Sequence, residues 1–77
     1  MMEIIIASDM EREELFAEIY FKDVQWAEVI FDQQKGYFQI EVFPPKDGGS
    51  WVFDLSEMQE ALVEAKKRLI NLGYSEV

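Results

Sequence analysis

Three stretches of period two followed by one of period near 3.6 constrain this chain more than any other feature. Residues 15–21 alternate, with Leu15, Ala17, Ile19 and Phe21 on one side and Phe16, Glu18 and Tyr20 on the other, the spacing of a half-buried strand. Residues 26–31 and 37–43 repeat that alternation with β-branched and aromatic side chains, and the polar residues 32–36 between them read as a turn. Further on, Met58, Leu62, Ala65, Leu69 and Leu72 recur every three or four residues and share one helical face. The pattern predicts an α+β fold: an antiparallel β-meander of four to five strands with one C-terminal α-helix packed across one face. Strands are expected at about 3–7, 15–21, 25–31, 37–43 and 51–53 and the helix at about 56–72, all within a single domain, 1–77.

Local chemistry supports these boundaries. Pro44 and Pro45 remove backbone donors and end the third alternating run, and residues 46–50 form a loop toward Trp51 and Phe53. Asp54 with Glu57, and Ser56 with Gln59, each fit a capping box at the helix start, while Lys66, Lys67 and Arg68 lie toward the end where the helix dipole favours cations. Gly73 is the natural stop. Residues 8–14 fit either a charged loop or one helical turn capped by Ser8.

Composition narrows the chemistry. With 7 basic and 16 acidic residues, and no Cys or His, the 77-residue chain carries a formal charge of −9. Disulfides, thiolate and imidazole catalysis and His or Cys metal sites are thereby excluded. A hydrophobic fraction of 49% is too high for a disordered acidic tail. The negative surface repels phosphate backbones and anionic membranes and attracts basic proteins, so neither nucleic acid nor membrane is expected as a partner. The apolar run Ile4, Ile5, Ile6 is too short for a signal peptide or a membrane span, and a cytoplasmic location is expected.

The register of the strands decides which side chains meet the helix. With a three-residue first loop and a four-residue second loop, Ala17, Ile19, Phe21, Ala27, Val29, Phe31, Phe38, Ile40 and Val42 form an apolar face. The alternative, with loops of two and five residues, buries Glu28 under the helix without a partner, at a cost of several kcal/mol, about the penalty of an unpaired buried ion. The first register is therefore expected. On the opposite face it places Glu18 opposite Glu28 and Glu28 opposite Glu41, framed by Tyr20 opposite Trp26 and Trp26 opposite Phe43. Like charges directly opposed cost roughly 0.2 to 1 kcal/mol per pair, so something must compensate.

An open face with aromatic residues around carboxylates has the composition of a protein interface. The candidate partner-binding residues are Glu18, Tyr20, Trp26, Glu28, Tyr37, Glu41 and Phe43. The same composition also fits a solvated face or one covered by the N-terminal segment, and Trp51 and Phe53 read as core and edge packing. Catalysis is not expected: the four serines lack an activating His, the loop 48–50 lacks the lysine of a phosphate loop, and a flat sheet face offers no pocket to two glutamates acting as acid and base. No metal or cofactor is expected; the alternatives to binding a basic partner are a homodimer through the open face and, third, a carboxylate-based metal site at the glutamate row.

At Lys35-Gly36-Tyr37-Phe38, at Phe43-Pro44-Pro45 and along residues 54–66 the chain resembles the N-terminal domain of HicB-type antitoxins. It lacks that family's Leu-Pro-Gly-Cys-like turn, and no C-terminal DNA-binding segment follows, so autoregulation of the HicB kind is not expected. From residues 3–9 through Glu18-Ile19-Tyr20 to residues 65–68 the whole chain also looks like short bacterial proteins found as immunity proteins beside secreted toxins. Both resemblances imply a small acidic inhibitor of a basic partner such as a nuclease toxin.

Overall fold

The computed structural model describes residues 1–76. Four strands, β1 (Glu3–Ala7), β2 (Phe16–Phe21), β3 (Val24–Asp32) and β4 (Tyr37–Val42), form one antiparallel sheet in the order β1-β2-β3-β4, and a single helix, α1 (Leu55–Asn71), packs on it. The α+β meander with one C-terminal helix is the fold that the change of period implies, and β1 lies at the edge beside β2. Trp51 and Phe53 do not form a further strand. Their rings lie 5.4 Å apart at 18°, and Phe53 packs on Phe21 and Trp26 with centroid distances of 5.1 and 4.7 Å, closing one end of the core.

Both ends of α1 are fixed by local hydrogen bonds. Of the two candidate caps, Asp54 serves: its Oδ1 accepts from the Glu57 amide at 2.9 Å. At the far end the Tyr74 amide donates to the Leu69 carbonyl and the Gly73 amide to that of Ile70, with Gly73 at φ 112°. This is the Schellman arrangement, which needs a left-handed residue just past the helix. Ala61, Ala65 and Leu69 form the buried stripe of α1, with Met58 and Leu62 half-buried beside it. Leu72, expected on that stripe, is 52% exposed because it is already the cap.

The glutamate register holds, but the route to it differs from the expected one. The first hairpin closes through a two-residue turn, Lys22 and Asp23, both at positive φ (49° and 67°) as in a type I′ turn. Tyr20 therefore pairs with Gln25 and Phe21 with Val24, whereas Ile19 pairs with Ala27 and Glu18 with Glu28. Trp26 is the extra residue, a bulge that absorbs the mismatch between the short turn and the favoured register. The second hairpin keeps Glu28 opposite Glu41 and Phe31 opposite Phe38, with the expected four-residue loop.

One expectation about the core fails. Ile40 and Val42, expected on the helix-covered face, are 44% and 53% exposed. The helix packs over β1, β2 and part of β3. A helix is roughly 10–12 Å across and strands lie about 4.8 Å apart, so one helix cannot roof four strands.

Candidate functional site

The sheet face away from α1 carries the row Glu18, Glu28, Glu41, but its three members have different surroundings. Glu28 is only 4% exposed. Its Oε1 lies 2.8 Å from the Arg12 guanidinium without an aligned donor, so the contact is an ion pair rather than a directed hydrogen bond. Arg12 also places its guanidinium carbon 4.3 Å from the centroid of the Phe16 ring, and Phe16 is 5% exposed. This is the compensation that the like-charge row requires, and it comes from the β1–β2 connection. Residues 8–15 form a loop rather than a Ser8-capped helical turn. It is folded back by Asp9, whose Oδ1 accepts from the Glu11 amide at 2.9 Å and whose carbonyl accepts from Arg12. At its end the Leu15 amide donates to the Tyr74 hydroxyl at 2.9 Å, tying the loop to the tail of the helix.

Glu18 is half-buried, and its Oε1 accepts from the Tyr20 hydroxyl at 3.1 Å. The Tyr20 phenol is held above its ordinary pKa of 10.0, first by partial desolvation, then by its hydrogen bond and proximity to Glu18 and by the charge of Glu3. A raised pKa on a group that is neutral when protonated gives stability that is complete below the unfolded value and is lost as pH rises through the folded one. Stability is therefore expected to fall above about pH 10 more steeply in the parent than in Tyr20→Phe, as read by urea unfolding across the alkaline range. Parallel curves for the two proteins would contradict this assignment.

Glu41 is exposed and has no ion-pair partner among the described residues. Tyr37, 43% exposed, lies on the same face with the Lys35 ammonium 5.9 Å from its ring centroid. Phe43 is half-buried, and its carbonyl accepts from the Trp51 indole at 2.7 Å.

Two proposed interface residues are thus misplaced by the sequence pattern. The bulge turns Trp26 toward the core, where it is 1% exposed against Phe53, so it cannot anchor a partner. Glu28 is enclosed by Arg12 and serves as that residue's counter-ion. Glu18, Tyr20, Tyr37 and Glu41 remain at the surface, and Gln39, which pattern reading passed over as an ordinary strand residue, lies between the last two. A homodimer through this face lacks Trp26 as an anchor. Among the described residues no group of three or more carboxylates converges on a point where a metal would sit.

The best-formed groove lies elsewhere, between β1 and α1, with a volume of about 310 Å³ lined by Met1, Met2, Ile4, Glu57, Glu64 and Arg68 among others. Two ion pairs cross it or line it, the Met1 amino group lying 3.1 Å from Glu57 and Arg68 3.1 Å from Glu64, while Glu60 lines it without an ion-pair partner among the described residues. No helix among the described residues is long and apolar enough to cross a membrane. No protein-family model, curated protein or solved structure matches the chain.

Proposed function

We propose that this chain is a small, acidic, non-catalytic protein-binding module of the cytoplasm. In this reading it is an immunity- or antitoxin-like inhibitor that lays its helix-free sheet face over a basic partner such as a nuclease toxin. The observation that carries the reading is the asymmetry within the glutamate row. Glu28 is neutralised within the fold by Arg12, whereas Glu18 and Glu41 flank it on the surface beside Tyr20 and Tyr37 with no cation committed to them. Two uncompensated carboxylates with two amphipathic rings suit a cationic surface, the carboxylates by steering and pairing and the rings by apolar contact. The formal charge of −9 adds long-range attraction in the same direction.

The experiment is affinity capture of basic proteins from the source cells at low salt, comparing the parent with Glu18→Gln/Glu41→Gln. The variant keeps Arg12, Glu28 and the whole core, so its fold is expected to persist. A basic protein held by the parent, released by salt and lost in the variant is the expected result. Equal retention by both would remove these two residues from the interface, and with them the reading.

A further inference from the structure

The two edges of the sheet are not equivalent. At β1 the outer edge is blunted by α1, because the Arg68 guanidinium donates to the Ile4 carbonyl at 2.9 Å. At β4 nothing equivalent is present among the described residues: the strand ends the sheet and reads Tyr-Phe-Gln-Ile-Glu-Val, without Lys, Pro or bulge and with a single charge. Edges of that kind invite pairing, and proteins that do not use them for pairing ordinarily blunt them with charge, proline, a bulge or a covering element. The Phe43 amide donates inward to the Trp26 carbonyl at 2.8 Å, so by antiparallel alternation the backbone groups of Phe38, Ile40 and Val42 point outward. Two of these residues, Ile40 and Val42, also carry side chains that the helix fails to cover, whereas Phe38 is half-buried with the Lys66 ammonium 5.4 Å from its ring centroid.

We infer that β4 pairs antiparallel with β4 of a second copy, with Ile40 on the two-fold axis. The strand is self-complementary in that register. Phe38 faces Val42, Ile40 faces Ile40, and Gln39 faces Glu41, so an amide rather than a second carboxylate meets the acid. Moving the axis to Glu41 would oppose two glutamates. Moving it to Gln39 would pair Val42 with Gly36, whose amide is already engaged by the Asp32 carbonyl at 2.7 Å. The Ile40 register uses the outward groups of all three residues. A two-fold axis normal to the sheet leaves both helices on one side, flanking a common strip of Phe38, Ile40 and Val42 from each chain, and it joins the two helix-free faces on the other. This inference stands on the edge and its register, not on the reading of the face.

The test uses sedimentation and disulfide trapping. Mutual repulsion of two chains of −9 weakens the pairing at low salt, so the dimer is expected to strengthen as salt is added, reaching twice the 9.1 kDa chain mass. The chain has no cysteine of its own. Gln39→Cys and Glu41→Cys are therefore expected to cross-link when mixed, since a non-hydrogen-bonded pair brings Cα atoms to about 4.5 Å, and to cross-link poorly when each is oxidised alone. Ile40→Lys is expected to stay monomeric throughout the concentration series while retaining the parent's circular dichroism. A parent that is monomeric at every concentration in high salt overturns the inference. So does trapping by either single variant in preference to the mixture.

Discussion

Replacing Trp26 by Ala is expected to destabilise the domain by about 3 to 5 kcal/mol, the cost of emptying a large buried aromatic site. A chain of 77 residues has roughly 4 to 11 kcal/mol in total, so the variant should sit near its unfolding threshold. The indole is 1% exposed and meets Phe53 at 4.7 Å, within a cluster that also includes Phe21 and Trp51, so its loss opens a cavity beside residues that close the end of the core. Its Nε1 is buried without a hydrogen-bond acceptor, which costs stability in the parent. Trp26→Phe removes that orphan donor while keeping most of the volume, and should recover the greater part of the loss. Urea unfolding of the three proteins measures both effects. A Trp26→Ala variant as stable as the parent would place the ring on the surface and refute the bulge.

The second large effect is at Arg12. Arg12→Met leaves the Glu28 carboxylate enclosed and without its counter-ion, and should cost about 3 kcal/mol, at the low end of the range for breaking a buried pair because the arginine side chain is itself 39% exposed. Removing the charge at the other end as well should restore stability, so Arg12→Met/Glu28→Gln is expected to be more stable than Arg12→Met alone. The double-mutant cycle from chemical denaturation isolates this coupling. Additive losses would show that Arg12 contributes only by covering Phe16.

These two residues also show where the sequence stopped being readable. The glutamate register was legible because the alternative puts an unpaired carboxylate under the helix, and a penalty of several kcal/mol outweighs small preferences in turn length. The turn itself was not legible. Lys22-Asp23 lacks the Asn-Gly or Asp-Gly signature of a type I′ hairpin, and a bulge satisfies both the short turn and the register, which simple alternation cannot represent. A single inserted residue moved Trp26 from the open face to the core. The Arg12–Glu28 pair joins residues far apart in sequence through an irregular loop, and no periodicity encodes it. The helix and its caps were local, and Asp54, Gly73 and the buried Ala65 and Leu69 fall where their chemistry requires. The exposure of Ile40 and Val42 followed from the width of the sheet relative to one helix, a property of the assembled elements rather than of either segment.

Whether the helix-free face binds a basic protein, as proposed, is decided by mapping the contact once that protein is in hand. Amide spectra of the isotope-labelled chain, recorded with and without the retained partner, should change at Glu18, Tyr20, Tyr37, Gln39 and Glu41 and leave the outer side of α1 around Val63 and Lys67 unaltered. Changes centred on that outer helix surface, or on the groove between β1 and α1, would place the interface away from the helix-free face and overturn the proposal.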